Sequence, residues 1–514
     1  MSFLGAQNSI ALGVQGLIHI DTGVVGSADY LLAKSLRFRS SASAYLNRTV
    51  SAAVSTYTVS MWVKRGTLTS TYQYLFSHPN SANNDGYGLA YNQTTDTMYY
   101  YNGTTYATTA AYRDPAAWYH IVFVNNAGAF TLYINGSSIL TGTATTIPSG
   151  AVMNLGRWYS GISSGFYFDG EMAEINFVDG QALAPTAFGA YSTYNQWLPI
   201  KYAGTYGTNG FYLPFTNTTS TSTLVADSSP NGNNWTPNNI SLTAGSTYDS
   251  LTDVPTLTSA TVANYAVLNP LANGGGTLSN GNLTLTSSSA VWGTRLSTIA
   301  VTSGKWYFEV TIQTPGTSGF MVGVTQNSAP TSHVGFDANG YGYYDAGTKY
   351  NNNVGTAYGS AMSANDVIGV AFDATAGTLT FYKNNVSQGV AFSSLTGAYK
   401  FGVWAAGSAG TGCSFNFGQR PFSYTPPTGF VALNTYNLPT PTILQGNLYM
   451  DATLWTGNGP ASQVIVNQAQ FKPDLVWVKN RSSTRKNLFF NFSFLFKYAR
   501  RAYSFFFSVD KLAE

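Results

Sequence analysis

Ala127-Gly-Ala-Phe-Thr-Leu-Tyr-Ile-Asn-Gly136 and Ala376-Gly-Thr-Leu-Thr-Phe-Tyr-Lys-Asn-Asn385 are one device written twice. In each, a Gly-led alternating strand runs into an Asn-Gly or Asn-Asn pair, residues that tolerate the positive φ of a two-residue hairpin turn. Each is preceded by a strand rich in bulky apolar residues, Trp118-Tyr-His-Ile-Val-Phe-Val124 and Val367-Ile-Gly-Val-Ala-Phe372. Two separate β-sandwiches on one chain are expected, an arrangement used more often for surface binding than for catalysis.

Composition points the same way. The 514 residues leave room for two to four domains. Charged residues make up 9%, against about 25% in an average soluble protein. With 52 glycines, 36 tyrosines and 31 phenylalanines, the chain has turn and strand chemistry and no clear amphipathic helix. An amide- and hydroxyl-rich surface suits neutral ligands such as glycans, or further copies of itself.

The formal charge of +3 belongs to the tail: residues 471–514 hold nine Lys/Arg and three acids, leaving the body slightly acidic. Nucleic acid is therefore not an expected partner of the body. The single Cys413 excludes an intrachain disulfide framework and reads as a buried, inert thiol. The start, Met-Ser-Phe-Leu-Gly-Ala-Gln, lacks the basic stretch of a signal peptide, and no apolar run reaches membrane-spanning length. Folding in a cytoplasm, without membrane insertion, is the expectation.

Residues 1–35 read as an attachment or assembly segment. In Tyr57-Thr-Val-Ser-Met-Trp-Val-Lys64, alternation puts Tyr57, Val59, Met61 and Val63 on one face and Trp62 on the other. This strand, with Leu36-Arg-Phe38, Trp118-Tyr-His120, Leu132-Tyr-Ile-Asn-Gly136 and Phe168-Asp-Gly-Glu-Met-Ala-Glu-Ile175, resembles the laminin-G-like, concanavalin A-like jelly roll over residues 36–190. The resemblance implies two curved antiparallel sheets and a carbohydrate or protein ligand. Residues 191–260, with Asp227-Ser-Ser-Pro-Asn-Gly-Asn-Asn-Trp235 and Ser250-Leu-Thr-Asp-Val-Pro255, read as a turn-rich connector, and their phrase order resembles tailed-bacteriophage structural proteins.

Within residues 261–432, Gly304-Lys-Trp-Tyr-Phe-Glu-Val-Thr311, Phe320-Met-Val-Gly-Val324, Gly340-Tyr-Gly-Tyr-Tyr344 and Asp366-Val-Ile-Gly-Val-Ala-Phe-Asp373 resemble a SPRY domain. That resemblance implies an interaction sandwich without catalytic residues, recognising ligands through loops placed here at Thr325–His333 and Asn351–Ala364. Residues 433–483 resemble the opening of a further phage C-terminal domain. Residues 484–514, dense in Phe and basic residues, read as a truncated or non-native tail.

Catalytic chemistry is hard to find. Glu171 and Glu174, the best acid pair for glycoside hydrolysis, are three residues apart and should point to opposite faces of a strand. His19, His78 and His333 read as segment or loop residues, and His120 as a satisfied imidazole within an apolar strand. No two histidines have metal-ligand spacing. Calcium is the metal left open, with Asp85, Asp169 and Asp179 as loop-adjacent candidates beside the alternative of turn-forming Asp; no other cofactor is expected. Tyr99 and Tyr101, and Tyr341 and Tyr343, are candidate sugar-stacking platforms, although adjacent tyrosines alternate faces, so one of each neighbouring pair belongs to a core.

The fold class is thus all-β: two tandem antiparallel sandwiches and an incomplete C-terminal segment. The function expected is that of a phage virion structural protein, a tail fibre or decoration component, located in the virion. Its partners would be host-surface polysaccharide or protein and other virion proteins, with a homo-oligomer, a trimer by analogy, gaining avidity. The alternative is a purely architectural virion protein, and the distant third a glycan-cleaving enzyme.

Overall fold

A computed structural model describes residues 30–68, 71–80, 85–272, 274–287, 293–314, 319–330, 332–405, 412–443, 446–453, 455, 463–466, 471–480, 488–491 and 505–507. The N-terminal segment before Tyr30, with His19, and most of residues 484–514 lie outside the described residues.

The first sandwich pairs two antiparallel sheets. One runs, in spatial order, Ser137–Thr143, Ala129–Ile134, Trp118–Asn126, Tyr57–Arg65, Gly170–Asp179, Ser35–Phe38 and Ser250–Leu251. The other runs Thr236–Asn238, Tyr45–Thr49, Val152–Leu155, Gln73–Asn80, Asp85–Tyr91, Thr97–Tyr101 and Thr105–Ala111. Strand alternation decides what goes inside: Tyr57, Val59, Met61 and Val63 all enter the core between the sheets, and Trp62 packs on the outer side.

The stretch read as a connector is built into this sandwich. Phe211–Leu213 pairs with the second half of Gly170–Asp179, Thr236–Asn238 extends one sheet, and Ser250–Leu251 extends the other. Phe211, Leu213, Phe215, Leu224, Val225 and Trp235 fill one end of its core. Strands of two or three residues are too short to show an alternation, so turn residues dominate the sequence reading.

The second sandwich has one sheet ordered Thr277–Ser279, Thr284–Thr286, Gly412–Asn416, Lys305–Thr314, Val367–Asp373, Thr378–Lys383 and Val386–Phe392. The facing sheet runs Arg295–Val301, Tyr399–Ala405, Phe320–Thr325, Gly340–Tyr344, Thr348–Asn351 and Val354–Ala357. Cys413 is fully buried in its core, and burial pushes the thiol pKa up.

Both diagnostic hairpins form as their sequences require. Asn135 and Gly136 have φ of 48° and 80°, and Asn384 and Asn385 have φ of 48° and 69°. Positive φ at both central positions is the turn whose twist matches the flanking strands. The outer edge strands Thr105–Ala111, Ser137–Thr143, Val354–Ala357 and Val386–Phe392 carry no charged residue and no proline. The three long ones are instead broken by register shifts against their neighbours, a β-bulge device that twists an edge away from further pairing.

Candidate functional site

Several of the few charges of this chain are buried where the two sandwiches meet. Across the outer face of the first sheet, Trp118, Lys64, Glu171 and Arg37 are successive cross-strand partners. The Lys64 ammonium donates to Asp253 Oδ2 at 2.6 Å, Asn264 Oδ1 at 2.8 Å and the Tyr265 carbonyl at 2.8 Å, using all three of its protons. Asp253 also accepts from Trp118 Nε1 at 3.0 Å. The Arg37 and Arg39 guanidinium groups converge on the Asp249 carboxylate. Arg420, from the second sandwich, is buried nearby and its pKa is lowered to about 9 by desolvation, with Arg37 adding to the effect.

Asp169 belongs to the same junction. Its Oδ1 accepts from Gly281 N at 2.7 Å and Thr67 Oγ1 at 3.3 Å; its Oδ2 accepts from Asn280 N, Ser40 Oγ and Ser40 N. The acid clasps the Asn280-Gly281 turn of the second sandwich, whose φ values of 59° and 75° present both N–H groups to it. Asp85 accepts from Tyr101 and from Gly86 N, and Asp179 accepts twice from Asn209. The three aspartates do not converge on one point, and each is occupied by hydrogen-bond donors, so together they do not fit a calcium site. Among the described residues no three His, Cys, Asp or Glu are grouped to hold a metal.

Glu171 and Glu174 correct the alternation argument. Glu174 sits at a bulge with φ of 52°, and the pairing with Tyr57–Arg65 shifts between Ala173 and Asn176. Met172 and Ile175 both enter the core, so the bulge turns Glu174 outward, to the same face as Glu171. Both residues are nevertheless covered, 1% and 4% exposed. Glu174 Oε1 accepts from Tyr30 at 2.6 Å and Oε2 from Tyr212 at 2.9 Å, with Tyr30 and Tyr212 hydroxyls 2.6 Å apart. Burial raises its pKa to about 7, against the pull of those two hydroxyls. Burial, with Asp253 adding to it, also lifts Glu171 well above the carboxylate range.

The three described histidines are packed into the sandwiches. His120 is stacked between Trp62 and Trp197 on the outer face, accepts from Trp197 Nε1 at 2.9 Å and lies 2.8 Å from Ser60 Oγ. Burial lowers its pKa to about 3. His78 is not a loop residue but lies buried in the Gln73–Asn80 strand, its pKa lowered by burial to about 4. His333 packs against Phe336, Tyr350 and Trp404.

The tyrosine candidates divide by face. Tyr99 and Tyr101 lie on the outer side of their sheet with rings 3° from parallel, while Tyr100 enters the core. They join Tyr72, Tyr74, Trp158 and the half-exposed Phe166 in an aromatic cluster. On the second sandwich Tyr343 is fully buried and Tyr341 packs on the same core, so neither presents an open ring. The outward residues of that region are Tyr344 and Tyr350, which cluster with Met321, Val334 and Trp404. The first expected loop brings His333 onto this cluster, and the second contains the exposed edge strand Val354–Ala357.

The junction was missed in sequence because its parts are scattered over more than 350 positions. The available signal was the presence of Lys64, Glu171 and Arg37 inside otherwise uncharged strands.

Comparison with known proteins agrees with the architecture. The family model of the concanavalin A-like lectin/glucanases superfamily matches residues 38–187, and that of the SPRY domain matches residues 305–420. Relatives include the E3 ubiquitin-protein ligase RKP of Arabidopsis thaliana, 34% identical over 139 residues, which are 25% of this chain and 10% of that protein. The ATP-dependent RNA helicase Ddx1 of Drosophila melanogaster is 34% identical over 140 residues, 27% of this chain and 19% of the helicase. The chain therefore spans only a minor part of these relatives. Among solved structures, the SPRY domain of human HERC1 is 22% identical, with a TM-score of 0.24, covering 26% of this chain and 87% of that one. The chain carries a concanavalin A-like domain and a SPRY domain in tandem.

Proposed function

We propose that this protein is a non-catalytic surface-binding component of a phage virion, a tail fibre or decoration protein that engages host-surface glycan or protein. The observation that carries the binding reading is the pair of interaction-type sandwiches, each with an aromatic cluster on an outer sheet face. Their buried acids are tied up in hydrogen bonds or covered. The virion setting is supported by the sequence resemblance of the 191–260 and 433–483 stretches to tailed-phage structural proteins. The relatives named above are eukaryotic and share only part of the chain, so their activities do not bear on it.

The test is binding of the full chain to intact host cells and to extracted surface polysaccharide. Saturable binding competed by the polysaccharide is the expected result. Absence of binding, even by an artificially multimerised chain, would overturn adhesion in favour of a purely architectural role.

A further inference from the structure

Lys64 and Asn264 are 200 positions apart in sequence, yet at the junction the Lys64 Nζ lies 2.8 Å from the Asn264 carboxamide oxygen. The lysine is 2% exposed, and Asp253, whose Oδ2 is 2.6 Å from the same nitrogen, is fully buried. A nucleophile, an acyl group and a proton acceptor thus meet at one point. We propose that Lys64 and Asn264 form an intramolecular isopeptide bond with release of ammonia, so that a covalent amide ties the first sandwich to the chain entering the second. A pull applied on either side of that bond would then bypass residues 65–263, and the first sandwich could not be drawn open between them.

Each partner is held for this step. Trp118 Nε1 and the Tyr265 N–H donate to Asp253 Oδ1 at 3.0 and 3.3 Å, which leaves Oδ2 turned to the amine. The Asn264 Nδ2 donates to the Ala116 carbonyl at 2.7 Å, fixing the carboxamide with its oxygen toward Lys64. Such positioning replaces a chance encounter between two weakly reactive groups. The ammonium first passes one proton to Asp253 Oδ2, a transfer favoured because burial raises the pKa of that acid. Glu171, directly across from Lys64 on the next strand, is lifted well above the carboxylate range by burial and brings no second negative charge beside the amine. The Nζ lone pair then forms the bond to Asn264 Cγ, a second Nζ proton moves to Nδ2, the Cγ–Nδ2 bond breaks, and the nitrogen leaves as NH₃. Loss of water and of a proton is what makes a lysine nucleophilic. A buried ion pair becomes a neutral amide beside a neutral acid, which removes the desolvation cost of two charges. Asn264 is half-buried and lines a hollow of ≈ 320 Å³, which gives the ammonia a way out.

The experiment is the intact mass of the full chain, followed by tandem mass spectrometry of its tryptic digest. The expected result is a mass one ammonia below that of the sequence, and a branched peptide joining Lys64 to Asn264 with no cleavage after Lys64. The full sequence mass, persisting after prolonged incubation of the folded chain, would overturn the proposal. So would an ammonia loss confined to a succinimide at another asparagine, such as Asn135 before Gly136. Lys64→Arg and Asn264→Ala should each restore the full mass, and Asp253→Asn should do so with both reacting groups still present. Because the natural chain alone decides whether the bond exists, a variant that fails to fold does not shelter the proposal. Cross-linking at full yield in Asp253→Asn would overturn the proton path.

Discussion

Asn135 and Asn384 occupy equivalent places in two different sandwiches. Each sits at φ 48°. Each donates its backbone N–H at 2.9 Å to a carbonyl of the neighbouring strand, His120 for one and Val367 for the other. Each then accepts the N–H of that same residue on its side-chain oxygen at 2.8 Å. The side chain therefore both permits the turn and locks it to the preceding strand.

Replacing either asparagine by alanine removes that lock and leaves an L-residue strained at positive φ. The expected loss is about 2 kcal/mol in urea unfolding, for Asn384→Ala as for Asn135→Ala. Asn384→Gly should lose only the side-chain bond, about 1 kcal/mol or less. Equal losses for Ala and Gly would contradict the backbone part of the argument.

Lys64→Met leaves Asp253 buried without its cation. Breaking a buried pair from one side costs about 3–5 kcal/mol. Because the pair fastens the junction, the variant should unfold in two separated steps where the natural chain unfolds in one, as followed by calorimetry. A single transition at unchanged temperature would show that the junction contributes little.

Glu174 titrates against the usual direction for an acid. The Tyr30 and Tyr212 hydroxyls each donate to one carboxyl oxygen of Glu174 and lie 2.6 Å from each other. Its folded pKa of about 7 exceeds the ordinary 4.5. Its contribution is then fully present below pH 4.5 and is lost as pH rises through 7, on the order of 3 kcal/mol. His120 and His78, lowered to about 3 and about 4, act oppositely: they lose stability as pH falls below 6.5. Glu174→Gln should reduce the decline toward pH 7, leaving the share that the raised Glu171 contributes, and keep the acid-side decline. A pH profile of melting temperature for the two proteins decides it.

Asp169→Ala should lower stability by about 3 kcal/mol, since the buried Gly281 N–H and four half-buried donors lose their acceptor. Chelation of divalent ions should leave the melting temperature of the natural chain unchanged, because hydrogen-bond donors rather than a cation occupy this carboxylate. A drop on chelation would show a metal holding the clasp instead.

The fold was readable wherever strands were long enough to alternate. Tyr57–Arg65 and both asparagine hairpins fall in the structure as their residue types require. Residues 191–260 were opaque because pairing there comes in steps of two or three residues, held by partners such as Leu36 and Leu46 far away in sequence. The bulge at Glu174 was equally hidden: one inserted residue inverts the facing of an acid, and nothing in Glu-Met-Ala-Glu announces it. Site candidates chosen by residue type inherited the same ambiguity. Tyr99 and Tyr101 landed outside their core, and Tyr343 landed inside its own.

The kinked, uncharged outer strands have a bearing on crowding. Two copies brought side by side along these strands cannot rely on mutual repulsion to stay apart, since the strands carry no charged residue. On the three long strands the irregular register does that work by shape: neighbours can touch along these walls, yet no long straight row of backbone groups is offered there for one sheet to grow into the next. Deletion of Gly389 would remove one of the two register shifts of Val386–Phe392 and lengthen the regular row which that strand presents to a neighbour.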